Sequence, residues 1–120
     1  CAQMEQLNIF LSAKEEISKK WKMFFDSQNI KIISPIKGNK ANYWLNAILL
    51  DSKKARDDFL KHTNNNGIMT RPIWKLMSNL PMFKNSQNDG LKNSLWLEER
   101  VINIPSSVPD NIELYDKDLK

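Results

Sequence analysis

Apolar residues recur every three or four positions along the first 27 residues, the spacing that places side chains on one face of an α-helix. The pattern predicts one long helix over residues 3–27. Its apolar face comprises Met4, Leu7, Phe10, Leu11, Ile17, Trp21, Phe24 and Phe25. The other faces carry charged residues, including the i,i+4 pair Glu15 and Lys19. We therefore expect the Met and aromatic stripe to pack against a core.

The pattern changes to that of short strands after this helix. Ile30, Ile32 and Ile33 predict a short strand. Residues 41–50, ANYWLNAILL, are apolar at both sets of alternating positions. Because a strand of this kind has two apolar faces, the segment predicts a central strand that is covered on both sides.

A second helix is predicted to begin after Asp51 or Ser52, since either side chain can cap its first turn. It is expected to end near His62. The tract 64–67, Asn-Asn-Asn-Gly, follows it and is a strong stop signal, because Asn and Gly tolerate the left-handed backbone that ends a helix.

The remaining pattern completes a mixed fold. It predicts a strand at residues 68–71 that Pro72 ends, followed by a loop-rich segment over 72–90 with large apolar side chains. A helix is then predicted over 91–100, with Leu91, Leu95 and Trp96 inward, and a strand at Val101–Ile104. This order predicts an α+β domain in which helices pack on a small, mostly antiparallel sheet. Residues 109–120 are expected to form a polar tail.

Composition narrows the function classes. The 120 residues are enough for one domain, and the net charge of +4 is spread among interleaved acids, so we expect a solvated surface and no nucleic-acid partner. A lone Cys1 excludes an internal disulfide and fits a reducing cytoplasm. No apolar run is long enough to cross a membrane. Because the chain opens inside a helical pattern without an initiator methionine, we expect a truncated protein.

Candidate chemistry is concentrated in residues 67–83, GIMTRPIWKLMSNLPMF. Three glycines make no phosphate-binding loop, and one cysteine with one histidine cannot form a zinc site. Arg71 precedes a proline and is suited to bidentate binding of a carboxylate or phosphate. The alternative is that Arg71 pairs with a surface acid and that Trp74 belongs to the core.

The same segment resembles the one that follows the small-domain helix in the DegT/StrS family of nucleotide-sugar aminotransferases. CAQMEQL (1–7), ANYWLNAILLD (41–51) and LEERVINIPSSV (97–108) are similar to further family segments in the same order. NYWLN, TRPIWKLM and INIPSS most resemble the branch that aminates a UDP-4-keto-6-deoxy sugar on the way to legionaminic-type nonulosonic acids. The resemblance covers residues 1–108 approximately.

The resemblance implies a homodimeric, pyridoxal-phosphate (PLP) aminotransferase that moves an amino group from glutamate to the C4 ketone of the UDP-sugar. Residues 1–108 would be its C-terminal small domain, with 1–27 as the connecting helix. The lysine that holds PLP would belong to a large domain outside this chain. No catalytic or cofactor-binding residue is therefore assigned here, and the chain alone is expected to be inactive.

The resemblance also implies a short list of substrate-binding residues. Arg71 matches the Arg-Pro position of the family and would contact an anion, either the donor carboxylate or the nucleotide sugar. Trp74 and Met77 would help to wall the site, and Ser78 stands where many members have a histidine. Asn42 and Trp44 lie at the start of the predicted central strand, whose end would face the cleft. Their alternative role is structural.

A different class of function stays open on the sequence alone. The chain could be a free-standing α+β module for binding or dimerisation, because its residues contain no complete catalytic set. In-frame codons upstream that encode a PLP-binding lysine motif would favour the enzyme. A start codon directly before Cys1 would favour the module.

Overall fold

A computed structural model describes residues 2–108, with the side chains of residues 2 and 3 left out. The elements are α1 (Ala2–Glu5), α2 (Leu7–Ser27), β1 (Lys31–Ile32), β2 (Asn46–Leu49), α3 (Lys53–Asn65), β3 (Arg71–Pro72), two 3-10 turns (Met77–Asn79 and Pro81–Phe83), α4 (Lys92–Glu98) and β4 (Val101–Ile104). This mixture confirms the predicted α+β class. The predicted tail at 109–120 lies outside the described residues. None of the helices in the described part is long and apolar enough to cross a membrane.

The chain divides into two compact units. The first contains the described residues up to Asn46 together with those from Pro105 onward, and the second is Ala47–Ile104. The boundaries fall after the first residue of β2 and at the end of β4. Each unit is described below by itself.

Helix α2 dominates the first unit and packs on β1. The break at Gln6 separates it from α1, so the predicted single helix is two. Of the predicted apolar stripe only Phe25 is buried, while Ala13, outside the stripe, is fully buried. The expectation that the whole stripe packs on a core is wrong for four members, which are exposed: Met4, Leu7, Leu11 and Phe24.

Aromatic and polar contacts hold α2 within the first unit. Trp21 stacks on Phe25 with ring centroids 5.6 Å apart, and its Nε1 donates a hydrogen bond to the Pro105 carbonyl at 2.8 Å. Lys14 Nζ donates to the Ser106 carbonyl, also at 2.8 Å. These contacts hold residues 105–106 against positions 14–21, in the middle of α2.

The predicted strand at 41–50 begins only at Asn46. The side chain of Asn42 accepts a hydrogen bond from the backbone N–H of Trp44 at 3.0 Å, and Tyr43 adopts φ = +51°. Such a turn cannot continue an extended strand. From Asn46 onward, buried and half-buried residues alternate, so both faces of β2 are covered as predicted.

The second unit holds α3 and the strand order β2–β4–β3. Ser52 is the N-cap of α3, and its Oγ accepts from the backbone N–H of Ala55 at 3.1 Å, as the sequence predicts. Gly67 follows the helix with φ = +76°, a backbone that L side chains rarely adopt. The core strand is β4, in which Val101, Ile102 and Ile104 are buried.

The predicted strand at 68–71 is wrong in its bounds. The backbone N–H of Ile68 still donates to the Thr63 carbonyl at the end of α3, so the chain is not yet extended there. Pairing begins at Arg71, opposite Asn103 in antiparallel register, and includes Pro72. A proline is tolerated in this position because β3 lies at the edge of the sheet, where one backbone side needs no partner strand.

Helix α4 is shorter than the predicted 91–100. Leu91 adopts φ = +51° and stands before the helix, which ends at Glu98. Leu91 is half-buried, but Leu95 and Trp96 are exposed, so the prediction that these two point inward is wrong. The helix is held instead by its C-terminal end, where Arg56 Nη1 donates to the Glu98 carbonyl.

Candidate functional site

The second unit contains a cleft of about 290 Å³ between the 3-10 turns and α4, which we call the loop cleft. Its lining residues are Leu76, Met77, Ser78, Phe83, Ser86, Gln87, Asn88, Leu91 and Ser94. Ser78, predicted as a substrate-binding residue, is therefore on its wall and is half-buried. The cleft lies within the loop-rich segment that the sequence singled out and extends past it to α4.

Hydrogen bonds fix the walls of the loop cleft. The Glu98 carboxylate accepts the backbone N–H of Leu76 at 3.0 Å, which ties the start of the loop to α4. Asn88 Oδ1 accepts the backbone N–H of Gly90 at 2.9 Å, and its Nδ2 donates to the Ser86 carbonyl at 3.2 Å. These bonds order a segment with little regular structure, so the cleft has defined walls without a ligand.

Arg71 and Trp74 are exposed and line neither of the two clefts described here. The guanidinium of Arg71 donates to Met69 Sδ at 3.4 Å, and no carboxylate among residues 2–108 forms an ion pair with it. Trp74 is 69% exposed, which excludes a core role within this unit. The alternative interpretation, a surface ion pair beside a core tryptophan, is therefore wrong for the described residues.

The first unit contains a second cleft of about 370 Å³, which we call the turn cleft. Its lining residues are Ser18, Lys22, Ile32, Ile33, Ser34, Pro35, Ala41, Asn42, Tyr43, Trp44, Leu45 and Asn46. The structure thus brings the predicted residues Asn42 and Trp44 together on one wall, and Asn42 shapes that wall through its hydrogen bond to the Trp44 backbone. The Trp44 side chain is 64% exposed.

A buried polar pair near the turn cleft was missed by sequence reasoning. Asn46 and Ser106 are both buried, and the Ser106 hydroxyl accepts from the backbone N–H and the side-chain amide of Asn46. An asparagine inside an apolar run was the available signal, since a buried amide needs hydrogen-bond partners. The run itself does not say that the partner is 60 positions away.

The described lysines do not fit a PLP-binding role. A lysine that forms a covalent bond with the cofactor carbonyl must lose its proton, which burial favours. Every lysine within residues 2–108 is exposed except Lys14. Lys14 is half-buried, and its Nζ donates a hydrogen bond to the Ser106 carbonyl. The pKa of Lys19 is raised by hydrogen bonds to Glu16 and Glu15, and that of Lys54 by its hydrogen bond to Asp58.

The described part of the chain also lacks a cluster of three His, Cys, Asp or Glu side chains that could hold a metal ion. The two clefts and the surface around Arg71 are therefore the candidate ligand-binding features considered below.

The comparisons with known proteins point to one class. No family model matches the chain. It is 27% identical over 108 residues to the GDP-perosamine synthase of Vibrio cholerae and 30% identical over 107 residues to that of Escherichia coli O157:H7, in each case across 88% of this chain. Its fold matches the crystal structure of the aminotransferase TlmJ from Streptoalloteichus hindustanus with a TM-score of 0.78 over 95% of this chain, at 15% identity.

These findings define the fold as one found in aminotransferases. The predicted resemblance to the sugar aminotransferases of the DegT/StrS family is confirmed by two relatives named GDP-perosamine synthase. The chain spans 29% and 28% of the length of these two relatives, and 32% of the TlmJ chain. It therefore corresponds to about a third of a protein of this class.

Proposed function

We propose that this chain is the small-domain part of a PLP-dependent aminotransferase that transfers an amino group from glutamate to the C4 ketone of a UDP-linked 4-keto-6-deoxy sugar. The observation that carries the proposal is the similarity to two named sugar aminotransferases along 88% of the chain. In this role residues 1–108 form the small domain, with the first 27 as its connecting helix. The product would serve the synthesis of surface polysaccharides or nonulosonic acids.

The chain supplies substrate recognition in this proposal. Arg71 binds an anion, since its exposed guanidinium has no carboxylate partner in the described part of the chain. Trp74 walls the same region from its exposed position. Ser78 acts from the loop cleft, and Asn42 and Trp44 act from the turn cleft.

The cofactor lysine comes from outside the described residues in this proposal. PLP, when bound, supplies the electron sink that allows amino-group transfer. The 120-residue chain with PLP is expected to give no saturable absorbance band in the visible range and no lysine that borohydride labels. A single labelled lysine, found by peptide mass spectrometry, would contradict this assignment.

The sugar and its nucleotide need a separate test. The full reading frame that encodes this chain is expressed and supplied with glutamate and either the UDP- or the GDP-linked 4-keto-6-deoxy sugar, and the amino sugar is detected by mass spectrometry. We expect product from the UDP-sugar. Product from the GDP-sugar alone would correct the nucleotide and agree with the names of the relatives. No product from either would overturn the proposal.

We propose in addition that the enzyme is a homodimer and works in the cytoplasm. The chain spans only 29% and 28% of the length of the two relatives, so the dimer is proposed for the full protein. Sedimentation of the full protein is expected to give twice the mass of one polypeptide. A reading frame that starts at Cys1 would instead support a free-standing binding or dimerisation module.

A further inference from the structure

The loop cleft has a wall without charged groups. Its nine lining residues include no Asp, Glu, Lys, Arg or His. A phosphate or carboxylate that entered would lose water without meeting an opposite charge, which is strongly unfavourable. The lining offers neutral hydrogen-bonding groups and no counter-charge, which favours an uncharged ligand over an anion.

Four polar side chains of the loop cleft have no hydrogen-bond partner within residues 2–108: Ser78, Ser86, Gln87 and Ser94. Asn88, by contrast, is fully used in ordering the loop. Ser78 and Ser94 are half-buried, yet no buried side-chain polar atom in the described part is left unsatisfied. Their hydroxyls must therefore reach solvent, where a ligand can replace water.

The rest of the loop cleft is apolar. Leu76 and Leu91 are half-buried, and Phe83 presents an aromatic ring. An aromatic face packs well on the apolar face of a flat or chair-shaped ring, while hydroxyl and amide groups bind the edges of that ring. A volume of about 290 Å³ is at the lower limit for ligand pockets and suits one substituted ring.

We propose that the loop cleft binds the uncharged ring of the nucleotide sugar, either its sugar or its nucleobase. Phe83 covers the face of the ring, and Ser78, Ser94 and Gln87 bind its edges. The identity of the ligand rests on the proposed function, but binding of such a ring to this chain does not. The anionic phosphates of the ligand stay outside this cleft.

The test is saturation-transfer NMR of the 120-residue chain with N-acetylglucosamine and, separately, with uridine. We expect transfer to one of the two rings, which identifies the part of the ligand that binds, and no competition by inorganic phosphate. The double substitution S78A/Q87A removes two hydrogen-bonding side chains and is expected to lower the affinity about tenfold. No transfer to either ring, or full competition by phosphate, would overturn the inference.

Two further variants complete the experiment. Ser94→Phe fills the cleft and is expected to abolish transfer, while Ser107→Ala, an exposed serine outside the cleft, is expected to leave it unchanged. Circular dichroism checks that each variant folds. If Ser94→Phe does not fold, the affinity of S78A/Q87A tests the inference on its own. Ring binding without amino transfer by the full protein would remove only the proposed function; amino transfer without ring binding would remove only this inference.

Discussion

Ser106 accepts two hydrogen bonds from Asn46, at 2.8 Å from the backbone nitrogen and 3.1 Å from the side-chain nitrogen. Both residues are buried, so the hydroxyl supplies partners that water cannot replace. The pair joins the start of β2 to the segment after β4 across 60 positions of sequence. Asn46 lies two residues after Trp44, which with Asn42 is predicted to bind the substrate.

Ser106→Ala is therefore expected to destabilise the protein by about 1–3 kcal/mol, because it leaves two buried donors of Asn46 without an acceptor. Urea unfolding followed by tryptophan fluorescence measures the change. Ser107→Ala is the matched control, since that neighbouring serine is exposed. Equal midpoints for the two variants would show that the pair contributes nothing to stability.

Arg56→Met is expected to destabilise the second unit by about 1.5–3 kcal/mol, because it removes the charged donor to the Glu98 carbonyl at the end of α4. Met retains the length of the apolar stem. Lys54→Met is the control, since the Lys54–Asp58 ion pair on the same helix is exposed and should contribute nothing measurable. If both variants unfold at the same urea concentration, the bond from Arg56 to α4 is not a stabilising one.

The raised pKa of Lys19 predicts a weak dependence of stability on alkaline pH. A pKa that is raised in the folded state stabilises that state below the unfolded value of 10.5, and the effect disappears as the pH rises through the higher folded value. Between pH 7 and 9 the difference between the wild type and Lys19→Met should therefore stay constant and small, since Lys19 is exposed. Added salt should reduce it. A difference that grows between pH 7 and 9 would contradict the assignment.

The features that the sequence predicts well are local. Ser52 caps α3 by accepting a hydrogen bond from the first turn of that helix, and Gly67 follows the helix because its own backbone adopts a positive φ. Strand β4 has the predicted bounds because its apolar run lies between a helix end and Pro105. These signals depend on neighbours within a few positions, which a single sequence displays directly.

The features that the sequence predicts poorly depend on distant partners or on a rare backbone. Tyr43 and Leu91 take left-handed φ angles without being Gly or Asn, so neither the late start of β2 nor the short α4 could be predicted. Leu7 and Leu11 follow the helical period of a buried face, but the described residues leave them 40% and 36% exposed. The sequence predicts single residues of the candidate site but not the loop cleft itself, because the cleft forms only when Ser94 and Leu91 lie beside Ser78.

Arg71 offers the sharpest test of the predicted substrate site. In the full-length protein, Arg71→Ala is expected to raise KM for glutamate or for the nucleotide sugar at least about tenfold, because a charge-assisted contact is lost. Arg71→Lys should recover only part of the loss, since an ammonium cannot make the bidentate contact. Lys61→Ala, an exposed cation on α3, serves as the control for net charge. Unchanged KM values for both substrates would remove Arg71 from the site.

The exposed apolar residues at the start of α2 predict that the isolated chain self-associates. Leu7 and Leu11 are one helical turn apart and both exposed, and Met4 of the preceding helix α1 is exposed as well, whereas monomeric proteins seldom expose contiguous apolar patches. Sedimentation velocity of the 120-residue chain should show a mass that rises with concentration. The double substitution L7K/L11K should restore a monomer, while Leu95→Lys, at an exposed leucine of α4, should not. A strict monomer at high concentration would show that these exposed apolar residues do not drive self-association. Association that L7K/L11K leaves unchanged would place the contact on another surface.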